Sequence, residues 1–126
     1  MTDSSGIVIH VSSRFLPEHS RPEAKRWFFA YRVRIVNEGH QPATVQRRHW
    51  VITDARGQVE EVEGAGIIGA TPWLPPTAAF EYTSFCPLPT PSGSMCGRLA
   101  MSRDDGSEFE VEIPPFEMLS DEAMVQ

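Results

Sequence analysis

Trp27-Phe28-Phe29-Ala30-Tyr31-Arg32-Val33-Arg34-Ile35-Val36 is the stretch that decides the fold. Every second side chain from Trp27 to Ile35 is aromatic or aliphatic, and two arginines stand among the residues between them. Because successive side chains of a strand point to opposite faces, this two-residue period predicts a long strand with one buried face. It is the strongest strand pattern in the chain, and we expect it to lie centrally in a sheet.

The sequence on both sides of this stretch repeats the strand pattern at short intervals. Turn residues such as Asn, Asp, Gly and Pro separate the runs, and no segment keeps the 3.6-residue period of a helix. The pattern predicts an all-β protein, an antiparallel β-sandwich of about seven or eight strands, with a partly open barrel as the alternative. The predicted strands are 7–11, 27–36, 43–53, 58–63, 79–85, 95–101 and 108–113.

Length and charge limit the classes of protein to consider. The chain has 126 residues, which fits one domain over 1–126 with an ordered core of about 7–119 and flexible termini. A net charge of −6 argues against binding nucleic acid or an anionic membrane through the whole surface. No apolar run could span a membrane and no signal peptide is evident, so we expect a cytoplasmic protein.

The two cysteines, Cys86 and Cys96, are too few for a disulfide framework and too far apart for a CxxC pair. In a reducing compartment we expect two partly buried free thiols. A disulfide across neighbouring strands is the alternative.

Gly64-Ala65-Gly66-Ile67-Ile68-Gly69 fits the GxGxxG pattern of dinucleotide-binding loops. That pattern requires a helix directly after the loop, but three prolines follow within seven residues and would stop it. Two interpretations remain. The amides of Gly64, Gly66 and Gly69 would hold a pyrophosphate, or the glycines would serve a tight connection between the sheets.

Arg48 and His49 are the residues that would add positive charge to a pyrophosphate at this loop. The alternative is structural. Arg48 would then pair with an acid such as Glu61 or Glu63, and His49 would pack on its strand.

Trp73, Leu74 and Phe85 are candidates for a partner-binding surface, because apolar anchors centred on tryptophan dominate interface energies. Trp73 would otherwise fold back to cap one end of the sandwich.

Catalytic and metal-binding patterns are not evident in the sequence. There is no GxSxG or Cys-His signature of a nucleophile, and the four histidines lack ligand spacing. We therefore expect no catalytic residues, no metal site and no cofactor.

Six segments, in order, resemble those of the ApaG family: FAYRVRIVN at 29–37, RHWVITD at 48–54, GAGIIG at 64–69, FEYTS at 80–84, GSMCG at 93–97 and IPPF at 113–116. The resemblance covers almost the whole chain, and departures from the family pattern lie at 70–71, 75–77 and Phe85. It implies a small bacterial cytoplasmic protein with a fibronectin type III-like β-sandwich. The same domain occurs in some F-box proteins and in a polymerase-interacting protein, where it resembles a protein-binding module. The bacterial family is associated with cobalt and magnesium resistance or efflux, and pyrophosphate-containing ligands have been suggested at the glycine motif.

Taken together, the sequence and the resemblance favour a non-enzymatic binding module for an unknown protein partner, or for a second copy of itself in a homodimer through sheet edges. The alternative is a sensor that binds pyrophosphate or a nucleotide polyphosphate at the glycine loop. A weaker third hypothesis is a divalent-metal chaperone.

Overall fold

The computed structural model describes residues 5–121 and arranges them as two antiparallel sheets. The eight strands of this part of the chain are β1 (Ile7–Phe15), β2 (Trp27–Asn37), β3 (Ala43–Asp54), β4 (Val59–Ala65), β5 (Trp73–Leu74), β6 (Ala79–Leu88), β7 (Ser92–Ser102) and β8 (Glu108–Leu119). Two short 3-10 helices, Pro17–His19 and Pro22–Ala24, lie between β1 and β2. The predicted antiparallel β-sandwich is confirmed.

The two sheets are closed on one side of the sandwich and open on the other. One sheet has the order β1-β2-β6, and the other has the order β4-β3-β7-β8 with β5 paired to β3. The edge strands β1 and β8 contact each other, and Ser13 Oγ donates to the carbonyl oxygen of Glu117 at 2.6 Å. On the opposite side, β4 and β6 are both edge strands with no outer neighbour. The space between the sheets is therefore less covered on this second side.

The core lies between the sheets, and β2 supplies its centre as predicted. The five large apolar side chains on the inward face of β2 are all buried: Trp27, Phe29, Tyr31, Val33 and Ile35. They face buried residues of the other sheet, and the rings of Tyr31 and Trp50 meet with centroids 5.4 Å apart. Burial of these large apolar side chains, at roughly 1.5–3 kcal/mol each, is the main force joining the two sheets.

Several strands extend beyond their predicted ends. β1 pairs with β2 as far as Phe15, where the sequence predicts a connection from residue 12. β6 continues through Pro87 to Leu88 and β7 begins at Ser92, so the connection between the predicted strands 79–85 and 95–101 shrinks to 89–91. The sequence pattern underestimates the length of these strands because their ends are polar or contain proline. Pairing with a neighbouring strand holds these ends extended.

The sequence predicts the last strand to end at Pro114-Pro115, and this is wrong, since β8 continues to Leu119. The two prolines lie opposite the single residue Cys96 in a bulge of an edge strand, where a missing N–H is tolerated. Ser120 is also buried, and its N–H donates to the Pro91 carbonyl at 3.0 Å. The predicted loose tail therefore does not begin at residue 119. The rest of the predicted flexible termini, residues 1–4 and 122–126, lies outside the described residues.

A second bulge, in β3, changes which side chains face the core. Val45 pairs with Met101 and Arg47 pairs with Ala100, so Gln46 is the extra residue. The sequence predicts Val45 and Trp50 on opposite faces, and this is wrong because both are buried in the core. Beyond the bulge, Arg48 follows Trp50 onto the inner face.

Candidate functional site

A cleft of about 380 Å³ opens between the free edges of β4 and β6. Its lining combines the apolar residues Trp50, Ile52, Ile67 and Met95 with a similar area of polar surface. Three residues at its rim, Val62, Ile68 and Phe85, are exposed although they are large and apolar. The volume falls in the range of known ligand sites, which are mostly apolar with a few polar groups. We refer to this space as the edge cleft.

The glycine loop forms one end of the edge cleft and is built as a tight hairpin turn. Ile67 N–H donates to Ala70 O at 2.7 Å, and Ala70 N–H donates to Ile67 O at 2.8 Å. Ile68 and Gly69 between them have φ values of 43° and 81°, as a two-residue type I′ turn requires. Gly66 has a φ of 61°, and a Cβ there would collide with the carbonyl oxygen of Ala70. Gly66 is therefore required by the backbone path itself, whereas Gly69 is favoured by its positive φ.

The amides of this turn are largely used within the fold. Gly66 N–H donates to the carbonyl of Gln46, the bulge residue of β3, at 2.7 Å. Ile67 and Ala70 bond each other, and Gly64 is paired in β4 opposite Arg48. The amides of Gly66, Ile67 and Ala70 are thus not free to bind an anion. This arrangement favours the structural interpretation of the glycine motif over the amide cradle.

Arg48 lies beside the glycine loop, on the inner face of β3 and in the lining of the edge cleft. Its Nη1 donates to the carbonyl oxygens of Ala65 and Gly66, both at 3.0 Å. A Cβ on Gly64 would come within 2.9 Å of the guanidinium, so the glycine at this position makes room for the arginine. The predicted alternative, a salt bridge from Arg48 to Glu61 or Glu63, is wrong.

His49, and not Arg48, contacts Glu61 and Glu63. Its Nε2 lies 2.7 Å from Glu61 Oε1, and its Nδ1 lies 2.7 Å from Glu63 Oε1. The Nδ1 contact meets the distance of an ion pair but not the geometry of a hydrogen bond. Because side chains alternate along β3, His49 faces outward while Arg48 faces the cleft. The structure therefore does not bring the two residues together at the loop.

Tyr82 is a polar residue of the edge cleft that the sequence analysis did not identify as functional. It is 6% exposed, and its hydroxyl has no hydrogen-bond partner among the described residues. Its neighbour Tyr31 bonds to Ser84 through its hydroxyl. Burial raises the pKa of both tyrosines, and the charge of Arg48 opposes this in each case. Both phenols are therefore neutral at pH 7 and able to donate a hydrogen bond.

Cys86 and Glu60 lie at the other end of the edge cleft. Burial, and then the nearby charge of Glu60, raises the pKa of the Cys86 thiol to about 11. The neutral thiol that results is the unreactive form of cysteine at pH 7. Cys86 and Cys96 are both free, which confirms the prediction of reduced cysteines.

The three residues predicted to form a partner-binding surface are separated in the structure. Leu74 is 3% exposed and belongs to the core, so its assignment to a surface is wrong. It pairs with Ala43 at the start of β3, which turns its side chain inward. Trp73 is exposed nearby, with its Nε1–H donating to Asp104 Oδ1 at 3.0 Å. Phe85 lies at the rim of the edge cleft instead, with its ring 6.5 Å from that of Phe28.

Two kinds of feature are absent from residues 5–121. This part of the chain has no group of three or more His, Cys, Asp or Glu side chains placed to hold a metal ion. It also has no helix long and apolar enough to cross a membrane.

Comparison with known proteins agrees with the segments quoted above. Residues 17–103 match the family described as the ApaG domain. Protein ApaG of Anaeromyxobacter dehalogenans (strain 2CP-C) is 50% identical over 116 residues, covering 92% of this chain and 91% of the relative. Protein ApaG of Methylobacterium sp. (strain 4-46) is 47% identical over 116 residues, covering 92% and 89%.

Solved structures show the same relationship. A crystal structure of a protein designated ApaA from Bordetella pertussis superposes with a TM-score of 0.89 at 45% identity, covering 91% of this chain and 94% of that chain. A second X-ray structure, from a structural genomics programme, has a TM-score of 0.86 at 40% identity, covering 92% and 88%. The sequence segments, the fold and these relatives lead to one conclusion: the chain belongs to the ApaG domain family.

Proposed function

We propose that this protein is a non-enzymatic, cytoplasmic binding module that recognises a segment of a partner protein at the edge cleft. The observation that carries the proposal is the position of the cleft between two unpaired strand edges, β4 and β6. An edge strand presents free N–H and C=O groups, to which an extended segment of another chain can add as a further strand. A segment bound there would place alternate side chains into the cleft.

The rim of the cleft supports the same proposal. Ile68 and Phe85 are 61% and 59% exposed, although a large apolar side chain is normally covered. Both lie beside the apolar interior, so a partner that covers them would also cover the opening. Exposed apolar surface next to a concave site is typical of protein interaction sites.

A sensor of pyrophosphate or a nucleotide polyphosphate is the second candidate function, and the position of Arg48 beside the glycine loop is the observation that favours it. The charges of the cleft fit it less well. Arg48 is the one cation among the cleft-lining residues, and Glu60 adds a negative charge to the same cleft. A ligand with several phosphate charges needs more cations or free amides than this.

In this proposal, the partner protein accounts for the family's association with cobalt and magnesium resistance, and this chain needs no metal site of its own. Self-association through the same strand edges is the competing form of protein binding. The experiment below separates the two.

The test is site-specific photo-crosslinking in cells, with a benzophenone amino acid placed at Phe85 and, as the matched control, at Trp73. Both positions are exposed, but only Phe85 lies at the rim of the edge cleft. We expect a discrete crosslinked protein from position 85, identified by mass spectrometry, whose purified form then binds the wild-type chain. Adducts that form equally from both positions, or from Trp73 alone, would place the interaction elsewhere. A crosslinked homodimer from position 85 would identify a second copy as the occupant.

A further inference from the structure

We propose that the edge cleft selects a partner segment with an acidic side chain, which Arg48 and the hydroxyl of Tyr82 bind together at the glycine-loop end. An apolar side chain of the same segment fills the interior. This inference rests on the proposed function, and it specifies the chemistry of the segment that the cleft accepts.

The unpaired hydroxyl of Tyr82 is the first argument. A buried polar group without a partner costs about 1–3 kcal/mol relative to one that is hydrogen-bonded. Tyr82 is buried in the lining of a cleft that a ligand can enter, and the hydroxyl has no partner in the described chain. Because the phenol is neutral, it can donate to an acceptor on a ligand and so recover this cost.

Arg48 supplies the second donor and the charge. The structure gives it two hydrogen bonds, both from Nη1 to loop carbonyls. These bonds anchor the guanidinium beside the cleft, while the group has five N–H donors in all. Arg48 and Tyr82 both line the edge cleft, and the positive charge of Arg48 lowers the pKa of the Tyr82 phenol against the larger effect of burial. A carboxylate is the group that matches one fixed cation and one neutral donor.

Glu60 gives the cleft a direction. In the pairing of β3 with β4, Arg48 lies opposite Gly64 and Ile52 lies opposite Glu60. The two charged residues are therefore four positions apart along the strands, roughly 13 Å at 3.3 Å per residue. An acidic group is favoured at the Arg48 end and repelled at the Glu60 end. The segment must therefore bind with its carboxylate at the glycine loop.

The geometry of an extended chain then links the two features of the segment. Side chains at positions i and i+2 of a strand point the same way, about 7 Å apart. If an acidic side chain meets Arg48 and Tyr82, a residue two positions away faces the apolar interior formed by Trp50, Ile52 and Met95. The predicted segment has an Asp or Glu and, two residues away, a large apolar residue.

The test uses the full chain and two synthetic peptides with blocked termini, acetyl-Thr-Glu-Thr-Phe-Thr-amide and the same peptide with Gln in place of Glu. Binding is followed by NMR through the Arg48 side-chain N–H and the methyl groups of Ile67, Ile68 and Met95. We expect saturable shifts with the Glu peptide and about tenfold weaker binding of the Gln peptide, as loss of a charge-assisted bond predicts. Tyr82→Phe and Arg48→Met should each reduce this preference. Arg47→Met, which removes an exposed arginine of β3 outside the cleft lining, is the control that should keep it.

Several results would overturn the inference. These are equal affinity for the two peptides, an unchanged preference in Tyr82→Phe, or no saturable shift with either peptide. A Gln peptide with a free C-terminal carboxylate that binds more tightly than the blocked Glu peptide would show that the site recognises a chain terminus and not an acidic side chain. Failure of the proposed function is a separate result. If the Glu peptide binds more tightly but no partner is crosslinked at position 85, the proposed function fails and the acid-binding site is retained. If a partner is crosslinked but the two peptides bind equally, the proposed function is retained and only this inference fails.

Discussion

At the scale of single residues, Tyr82 and Tyr31 make a natural comparison, because both are buried tyrosines of the edge cleft. The Tyr31 hydroxyl has Ser84 as a partner, whereas the Tyr82 hydroxyl has none among the described residues. We expect Tyr82→Phe to leave the free energy of unfolding unchanged or to raise it by up to about 1 kcal/mol. Removing an unpaired buried hydroxyl relieves its desolvation cost.

Tyr31→Phe is the matched control and should lower the free energy of unfolding by about 1 kcal/mol, since it breaks a hydrogen bond. Urea denaturation monitored by tryptophan fluorescence measures both. A loss from Tyr82→Phe as large as that from Tyr31→Phe would show that Tyr82 has a partner in solution.

At the scale of elements, the hairpin turn of the glycine loop predicts unequal costs for its glycines. A Cβ on Gly66 would collide with the Ala70 carbonyl, whereas a Cβ on Gly69 would have no atom within 4 Å. Both residues have positive φ, which costs a non-glycine residue about 1–2 kcal/mol. Gly69→Ala should therefore lower the free energy of unfolding by only this amount, and Gly66→Ala should lower it by clearly more.

Thermal or urea denaturation of the two variants measures the difference. Equal losses would mean that the turn moves to accept a side chain at position 66. The Gly66 amide would then no longer be tied to the β3 bulge, and the amide cradle would again be open to an anion.

The β3 bulge shows the limit of strand patterns at this scale. A two-residue period places Val45 and Trp50 on opposite faces of any regular strand. One extra residue, Gln46, puts both in the core and turns Arg48 inward with them. Neither Gln46 nor its neighbours carry a sequence signal for a bulge, so the inward position of Arg48 could not be predicted.

At the scale of the whole molecule, the burial of Cys86 makes stability depend on alkaline pH. The unfolded thiol loses its proton near pH 9, its ordinary value, whereas the folded thiol keeps it to about pH 11. Between these values the unfolded state binds fewer protons than the folded state, so the free energy of unfolding falls as pH rises. The loss should approach about 2–3 kcal/mol, at 1.4 kcal/mol for each unit of pKa.

Urea denaturation from about pH 8 to about pH 10.5 under reducing conditions tests this dependence. The free energy of unfolding of Cys86→Ala should fall less steeply with pH than that of the wild type, although the cavity lowers it at every pH. The raised pKa values of Tyr31 and Tyr82 also make the free energy of unfolding fall as pH rises, in the wild type and in Cys86→Ala alike. Cys96→Ala controls for the removal of a thiol elsewhere in the fold. Parallel curves for the wild type and Cys86→Ala would contradict the proposed burial.

The sequence by itself determined the all-β class, the antiparallel sandwich, the central strand β2 with its buried face, and the family. These features depend on short-range alternation and on turn residues, which are visible in a linear sequence. The five large buried side chains from Trp27 to Ile35 follow the two-residue period, and the small Ala30 is buried on the opposite face.

Only the tertiary structure decided the candidate site. The burial of Leu74, the inward position of Arg48, the unpaired hydroxyl of Tyr82 and the opening between β4 and β6 each depend on which strands pair, in which register, and which edges meet. One extra residue in β3 reverses the faces of the strand, and contact of β1 with β8 leaves the other edge open. Such features arise from residues far apart in the chain, so no local pattern contains them.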